Sequence, residues 1–370
     1  MKRVGHIFDE LISDANLSKA IDEVNRTHHW KARHKPNKTT AWVELTKADR
    51  ITVLREIITS GFNQRPPRII ERYDASARKW RIISEPIQWP DQYIHHALIQ
   101  VIQLVLMRGM DLYCCGSIRG RGTHYAKKAI EKWMSNDKKG TRYCLTADIK
   151  HFYDSLRPEV VMSRMRELIK DRRILDLIER ITSDGIKIGA YPSQWFANTT
   201  LQPLDHMIRQ SGLCSRYVRY MDNITVFGAN KRHLRKLKKM IAMWLKDHKL
   251  ELKGDWQIFP VIGERRPNGR MPNAVGYRYG RGYTILRKHN LFRLKKAIRE
   301  YRKREGKISP RAAESILSRL GQLKHCNNTQ IYKEMFRGEH IIKALKQYVR
   351  KKRKGLMTWN MYLEKLKETA

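Results

Sequence analysis

The sequence predicts an α+β fold with two or three subdomains, and three observations support this prediction. The chain has 370 residues, of which 41% are hydrophobic, enough for a sizeable folded core. Strand-like segments, in which apolar and polar residues alternate, are interspersed with segments that carry apolar residues at helical spacing. The last part of the chain, from about Arg287 onward, is basic and has a helical pattern. Strands and helices in this arrangement are typical of α+β proteins.

The elements can be assigned in order along the chain. Residues 1–60 are expected to be mostly helical, since an apolar stripe at helical spacing runs from Ile51 to Ile58. Pro66 and Pro67 end this region. The other expected elements are two strands in 68–83 around a turn at 74–77, a helix at 92–107, a strand at 141–148, a helix opened by Pro158, a helix at 193–210, a hairpin at 216–227, a basic helix at 231–248, and short strands at 256–260 and 275–279.

The segment 216–227 is expected to be a β-hairpin with a carboxylate at its tip. Alternating residues stand on both sides of the tetrapeptide Tyr220-Met221-Asp222-Asn223. Asp222 and Asn223 favour a turn, because both side chains tolerate left-handed backbone and can hydrogen-bond to it. A carboxylate on a rigid hairpin tip is well placed to hold a metal ion.

The charge of the chain points to a polyanionic partner. It has 76 Lys and Arg residues against 36 Asp and Glu, a formal net charge of +40. Such self-repulsion is best tolerated when a polyanion neutralises it, and nucleic acid is the leading candidate. Basic residues cluster at 231–239 and 350–354, and a membrane surface could also attract these runs. No apolar stretch is long enough to span a bilayer and no signal peptide is evident, so no membrane partner is expected.

The cysteines indicate a reducing compartment. The chain has 5 of them, without a Cys-x-x-Cys pair or zinc-ligand spacing. An odd, sparse set is typical of reduced thiols, so a cytoplasmic protein is expected.

Two carboxylates lie where predicted strands end. Asp148 ends the 141–148 strand and Asp222 lies in the hairpin, so only the fold can bring them together. Taken alone, an Asp at a strand end is more often a turn former or a helix cap than a ligand. Two acids on neighbouring strand ends, however, suit Mg²⁺, which prefers one or two carboxylates together with substrate phosphates and waters.

The sequence around both acids resembles that of reverse transcriptases. The hairpin tetrapeptide is similar to the Tyr-x-Asp-Asp hairpin of that family, and Asp148-Ile149-Lys150-His151-Phe152-Tyr153-Asp154 is similar to its first catalytic motif. The resemblance covers roughly residues 50–300 and implies a right-hand polymerase of fingers, palm and helical, basic thumb. The implied division is an N-terminal region and fingers at 1–140, a palm at 141–285 with part of the fingers at 155–200, and a thumb with a basic C-terminal tail at 286–370.

The resemblance also implies roles for individual residues. Asp148 and Asp222 would be catalytic and, with Ile149, would hold Mg²⁺ or Mn²⁺. Tyr153 would lie under the sugar of the incoming dNTP and exclude a 2′-hydroxyl, and Lys253 would protonate the pyrophosphate leaving group. A packed aromatic ring and a solvated lysine remain open as alternatives for these two. The residues implied in dNTP binding are Lys79, Arg81, Tyr153, Gln194 and Lys253. Those implied in template and primer binding are Arg119, Gly189, Ser193, Gly276 and Tyr277.

The segment Ile188–Asn198 resembles one group within the family. Most reverse transcriptases carry Gln-Gly and Ser-Pro at the equivalent points, whereas Ile-Gly-x-x-x-Ser-Gln, found here at 188–194, is characteristic of diversity-generating retroelements. That group is associated with error-prone copying of template adenines. The resemblance implies a prokaryotic or phage-encoded enzyme whose partners are template RNA, nascent cDNA, dNTPs and often a small basic accessory protein. An antiphage defence reverse transcriptase, which shares the core, is the enzymatic alternative.

Asn223 stands where the family hairpin has its second Asp, at an auxiliary position, and three interpretations follow. In the first, the change is tolerated, because an amide of the same size keeps the turn and weakens metal binding without abolishing it. In the second, it inactivates the enzyme and leaves an RNA-binding scaffold of a ribonucleoprotein. In the third, it alters the preference for metal or substrate. The expected activity is RNA-directed DNA polymerisation by two-metal phosphoryl transfer.

Overall fold

The computed structural model describes residues 3–33, 45–74, 79–264, 266–327, 329–336 and 341–353. The chain divides into two units, the first formed by residues 1–122 with 143–258 and the second by residues 123–142 with 259–370. Helices and sheets occur in both units, which confirms the predicted α+β class. Within the described ranges, no helix combines the length and the apolar character needed to cross a membrane.

The helices of the first unit follow the predicted pattern in part, since those at 152–155 and 172–182 were not predicted and one predicted helix is divided. They span Phe8–Leu11, Asp14–Arg33, Lys47–Thr59, Tyr93–Met107, Phe152–Ser155, Pro158–Leu168, Arg172–Thr182, Tyr191–Thr200, Gln202–Gln210 and Lys231–Asp247. The single helix predicted at 193–210 is in fact two helices. Pro203 lies in the first turn of the second one, where its missing N–H costs nothing, whereas inside a continuous helix it would break a hydrogen bond.

Two strands form a hairpin ahead of the apolar Tyr93–Met107 helix. Strand β1 spans Arg68–Asp74 and pairs antiparallel with strand β2, Lys79–Glu85. Both strands match the prediction for 68–83, while residues 75–78 of the connecting turn lie outside the described residues.

The central sheet has five strands. They are β3 (Cys114–Cys115), β4 (Tyr143–Asp148), β5 (Arg216–Tyr220), β6 (Asn223–Gly228) and β7 (Gln257–Pro260), in the order β3-β5-β6-β4-β7. Strands β5 and β6 are the predicted hairpin, and β6 also pairs antiparallel with β4. The Lys231–Asp247 helix contacts β4 and β6, and it buries one apolar stripe while its basic residues face outward. The sheet is therefore held rigidly where β4 and the hairpin meet.

The second unit has a small antiparallel sheet and mostly basic helices. Strands β8 (Asn273–Ala274), β9 (Tyr277–Tyr279) and β10 (Thr284–Leu286) are in the order β10-β9-β8. The strand predicted at 275–279 is shorter in the structure, because Val275 and Gly276, with φ of +45° and +91°, form a turn before β9. The helices span Thr123–Asn136, Lys288–Lys303, Pro310–Leu323, Thr329–Phe336 and Ile341–Arg353, as predicted from Arg287 onward. Residues 354–370 of the predicted basic tail lie outside the described residues.

Candidate functional site

The strand ends that carry Asp148 and Asp222 meet at one edge of the central sheet. Asp148 is the last residue of β4 and pairs across the sheet with Asn223, the first residue of β6. The backbone N–H of Ile149 donates to the carbonyl oxygen of Asp222 at 3.3 Å. The antiparallel pairing of β4 with the hairpin thus brings together two acids that are distant in the sequence.

The tip of the hairpin is a two-residue loop. Tyr220 pairs with Asn223, which leaves Met221 and Asp222 as the loop. The loop lies within the predicted tetrapeptide 220–223, but the left-handed backbone is at Met221, with a φ of +55°, and not at Asp222 or Asn223. This conformation costs a residue other than glycine about 1–2 kcal/mol. A hydrogen bond from the N–H of Met221 to the carbonyl of Cys115, 3.2 Å long, helps to hold it.

The carboxyl group of Asp148 binds its proton unusually tightly. Burial and, after it, the charge of Asp222 raise the pKa of Asp148 to about 7, and the charge of Lys253 acts in the opposite direction. A carboxyl with this pKa is about half protonated at neutral pH. The two acids therefore favour any cation that neutralises them.

One oxygen of Asp148 fits the requirements of a metal ligand. Its Oδ1 atom is buried and has no hydrogen-bond partner in the described part of the chain. A divalent cation would supply that partner and favour the ionised carboxylate. The described residues hold no group of three or more His, Cys, Asp or Glu side chains that could bind a metal alone. A pair of carboxylates nevertheless suits Mg²⁺, which keeps waters and substrate phosphates as its other ligands. The side chain of Ile149 is buried, so only the backbone of this residue could contribute.

An amide and an ammonium group complete the surroundings of the two acids. The Nδ2 atom of Asn223 donates to Oδ1 of Asp222 at 3.0 Å. The Nζ atom of Lys253 lies 3.8 Å from Oδ2 of Asp148 and 2.6 Å from Oδ2 of Asp255. The hydrogen bond with Asp255 raises the pKa of Lys253, so the lysine is protonated beside the acid pair.

The ring of Tyr153 lies near both the hairpin and the β1–β2 strands. It is half-buried against the core, in the Phe152–Ser155 helix. Burial and the charge of Asp222 raise the pKa of Tyr153, whereas Arg81 lowers it. The Nε atom of Arg81 donates to Oδ2 of Asp74 at 2.7 Å, so this guanidinium is paired within the β1–β2 hairpin.

A family comparison identifies the part of the chain that holds this site. Residues 72–255 match the family model described as reverse transcriptase (RNA-dependent DNA polymerase). Residues 72–255 are a reverse transcriptase domain. The match includes the end of β1, β2 to β6 and both acids, and together with the sheet it confirms the predicted polymerase fold. No curated protein sequence matches the chain.

Solved telomerase structures share a low similarity with the chain. Telomerase from Candida albicans, in complex with the TWJ fragment of telomeric RNA, is 12% identical with a TM-score of 0.46, over 76% of this chain and 55% of that one. Apo telomerase from Candida tropicalis is 13% identical with a TM-score of 0.45, over 85% of this chain and 64% of that one. The chain thus spans less than two thirds of either telomerase chain.

In the reverse transcriptase domain, Gly189 occupies a position that no other residue fits. Its φ is +121°, and a Cβ atom here would lie 2.5 Å from the carbonyl oxygen of Ser84 in β2. The N–H of Ser84 in turn donates to the carbonyl of Ile188 at 2.7 Å. Ser193 is buried and Gln194 half-buried at the start of the next helix. The segment is therefore packed directly against the β1–β2 hairpin.

The C-terminal end of the same segment supports the hairpin that carries Asp222. The Nδ2 atom of Asn198 donates to the carbonyl of Gly116 at 3.0 Å, and its Oδ1 atom accepts from Nη1 of Arg219 at 2.9 Å. Nη1 of Arg219 also donates to the carbonyl of Met221 at 2.9 Å. Buried side chains thus hold the turn that carries Asp222.

A buried ion pair lies beneath this turn. Arg219 and Asp205 are both fully buried, and the Nε–Oδ1 and Nη2–Oδ2 distances are both 2.7 Å. The hydroxyl of Tyr217 donates to the same carboxylate. Burial by itself would lower the pKa of Arg219, but the charge of Asp205 outweighs this and raises it. Sequence analysis missed the pair, although a charged residue inside the otherwise apolar and aromatic strand 217–220 was a signal for it.

The remaining predicted residues lie in varied surroundings. Arg119 is exposed on its loop, and the side chain of Lys79 lies outside the described residues. Gly276 lies in the turn between β8 and β9. Tyr277 is buried, and the Nζ atom of Lys127 lies 5.6 Å from its ring centroid. The roles assigned to these residues in dNTP, template and primer binding stay predictions.

Proposed function

We propose that the chain is an RNA-directed DNA polymerase that copies an RNA template into cDNA. The observation that carries this proposal is the pair Asp148 and Asp222 at the sheet edge, with a buried and unpartnered oxygen on Asp148. The match of residues 72–255 supports the reaction class. The net charge of +40 supports a nucleic-acid substrate.

The two acids and the carbonyl of Ile149 would hold Mg²⁺ or Mn²⁺. When bound, the ions lower the pKa of the primer 3′-hydroxyl and neutralise charge on the triphosphate. The chain itself holds Asp148 and Asp222 in register through strand pairing. Tyr153, close to Asp222, would screen the sugar, and Lys253 would donate a proton to the leaving pyrophosphate. Fingers, palm and thumb would lie at 1–140, 141–285 and 286–370.

Primer extension tests the proposed activity. The chain is expected to extend a DNA primer on an RNA template with Mg²⁺ or Mn²⁺, and Asp222→Ala is expected to abolish extension. Asn223→Asp restores the acid of the family hairpin and is expected to increase extension. Extension by Asn223→Asp but none by the chain itself would overturn the proposal that this chain is active.

We further propose that the enzyme belongs to a diversity-generating retroelement of a prokaryote or phage. The Ile-Gly-x-x-x-Ser-Gln segment at 188–194 supports this. Template RNA, nascent cDNA, dNTPs and a small basic accessory protein would be its partners. Sequencing the RNA that co-purifies with the protein, and the cDNA made from it, is expected to show substitutions concentrated at template adenines. An even spread of errors would contradict the retroelement assignment, and would favour a defence enzyme while leaving the polymerase proposal intact.

A catalytically weakened RNA-binding scaffold is the second candidate. The contact that favours it is the amide of Asn223, which uses an acceptor site of Asp222 that a metal would otherwise find free. A scaffold would bind RNA with the same affinity whether or not Asp222 is intact, and would incorporate no dNTP.

A further inference from the structure

The second unit contains a cavity of about 700 Å³ that the proposed polymerase chemistry does not use. This volume falls within the roughly 300–1,000 Å³ typical of ligand sites. We refer to it as the basic cavity, after its charged lining. The charged residues that line it are Lys138, Lys139, Arg142, Glu264, Arg266 and Arg281.

The lining of the basic cavity has a large excess of positive charge. Five cationic side chains face a single carboxylate, that of Glu264. The Nζ atom of Lys138 lies 3.7 Å from Oε1 of Glu264, and both side chains are largely exposed, so this pair contributes little. Bringing so many like charges together is unfavourable unless an anion neutralises them.

Arg281 is a half-buried cation whose hydrogen bonds go to neutral groups. Its Nη1 atom donates to the carbonyl of Met134 at 3.0 Å and to the hydroxyl of Thr141, and its Nη2 atom donates to the carbonyl of Thr141 at 3.0 Å. All of these acceptors are neutral, although the charge of Asp137 also acts on this guanidinium and raises its pKa. Burial lowers the pKa of Arg281, so its charge is held at a cost that a bound anion would offset.

The turn 137–142 forms one wall of the basic cavity and has little freedom to move. Oδ1 of Asp137 accepts from the N–H of Gly140 at 2.7 Å, and the Asp137 carbonyl accepts from the N–H of Thr141 at 3.0 Å. The N–H of Arg142 donates to the carbonyl of Lys139 at 3.2 Å. These bonds fix the backbone from which the cations project.

The second wall is a turn closed by Gly263 and Arg266. The N–H of Arg266 donates to the carbonyl of Gly263 at 2.8 Å. The walls are joined directly, because the N–H of Val261 donates to the carbonyl of Arg142 at 3.0 Å. The backbone from which the cations project is therefore held in place on both walls, which lowers part of the entropic cost of binding.

We propose that the basic cavity binds the phosphate backbone of an RNA strand outside the template and primer contacts, a proposal that rests on RNA being the substrate of the proposed polymerase. Several phosphates match an excess of four positive charges better than one phosphate does. Guanidinium groups bind phosphate oxygens in pairs, and Arg142, Arg266 and Arg281 supply three of them.

The test compares two double variants of the full chain. Lys139→Gln/Arg266→Gln removes one cation from each wall of the basic cavity. Lys128→Gln/Lys132→Gln is the matched control, because it removes the same charge from exposed residues of the Thr123–Asn136 helix that do not line the cavity. The affinity for a fluorescent single-stranded RNA is measured by anisotropy without dNTPs, from 50 to 300 mM KCl.

The cavity variant is expected to bind RNA roughly tenfold more weakly at 100 mM KCl. The magnitude of the slope of log Kobs against log salt concentration should also fall by about 1.4, which is about 0.7 for each lost phosphate contact. The control is expected to change both quantities much less. Equal losses in the two variants, or no loss in the cavity variant, would overturn the proposal. If the cavity variant binds RNA normally but no longer binds phosphatidylglycerol vesicles, the RNA proposal is overturned and a lipid surface is the favoured partner.

Two further measurements keep the result interpretable. The cavity variant should extend a short template–primer duplex as fast as the unaltered chain does. If the unaltered chain itself extends no primer, that result contradicts the polymerase proposal and leaves the proposal for the basic cavity intact. Photocrosslinking of the unaltered chain to 4-thiouridine RNA requires no variant to fold. It is expected to label peptides that contain 138–142 or 261–266, and absence of label on both would overturn the proposal.

Discussion

Replacing Asp205 by Asn tests the buried ion pair that supports the hairpin carrying Asp222. The change keeps the size of the side chain but leaves the fully buried guanidinium of Arg219 without its counter-charge. Removing one partner of a buried pair costs about 3–5 kcal/mol. Because both side chains are fully buried and both bonds are 2.7 Å long, we expect a loss of about 4 kcal/mol in the unfolding free energy of the first unit.

Urea unfolding followed by far-UV circular dichroism at pH 7 measures this loss. Asp111→Asn is the matched control, since Asp111 also binds an arginine through two bonds, of 2.7 and 3.1 Å to Arg209. The side chain of Arg209 is 30% exposed, so water replaces part of the lost interaction and a loss of about 1 kcal/mol is expected. Equal losses for Asp205→Asn and Asp111→Asn would refute the argument from burial.

A double variant separates stability from positioning. Asp205→Leu/Arg219→Met removes both charges, and apolar replacement of a buried pair is often neutral or stabilising, so most of the lost stability should return. The turn would still lack the hydrogen bond from Arg219 to the carbonyl of Met221. We therefore expect primer extension to stay low in a stable protein. Recovery of both stability and extension would show that Arg219 does not position the turn that carries Asp222.

Three other predictions follow from the site. The pKa of about 7 for Asp148 means that protons compete with metal. Mn²⁺ affinity measured by calorimetry should therefore rise from pH 6 to 8, while the number of protons released on binding falls from about one at pH 6 towards zero at pH 8. A flat profile contradicts this. Lys253→Met removes the cation that lowers this pKa and should move the same profile to higher pH. Gly189→Ala should lower the unfolding free energy by about 2–3 kcal/mol more than Gly185→Ala, since both positions have left-handed backbone but only the former would meet the Ser84 carbonyl.

The sequence predicted the strand ends well because their signals are local. The alternation of apolar and polar residues in 141–148 and 216–227 depends only on neighbouring residues. The positions of the two acids could be predicted from it, because each acid lies where a strand ends. The left-handed backbone was expected at Asp222 or Asn223, but the pairing of Tyr220 with Asn223 leaves Met221 as the residue that adopts it. Local preference favours Asn or Asp there, and tertiary pairing overrode it.

The support beneath the hairpin could not be predicted in the same way. Asp205 lies on the Gln202–Gln210 helix and Arg219 on a strand, so no periodicity in the sequence links them. Tyr277 was assigned to primer binding by motif position alone, and its burial depends on packing within the second unit. Ion pairs and burial of this kind follow from long-range packing, which a pattern of neighbouring residues does not encode.

Asn223 changes the balance between protons and metal at the site, and not only the number of carboxylates. The register puts residue 223 directly opposite Asp148, whose pKa the charge of Asp222 already raises. A third carboxylate there would add like charge and raise the pKa of Asp148 further. A site with three carboxylates would bind metal better at high pH. As the pH falls, however, it would lose the metal to protons sooner. We therefore expect Asn223→Asp to extend primers faster at pH 8.5, and the acid limb of its pH profile to lie at higher pH than that of the unaltered chain. Primer extension from pH 6 to 9 at a fixed, subsaturating Mg²⁺ concentration measures the acid limb of each protein, and acid limbs that coincide would show that residue 223 does not act on Asp148.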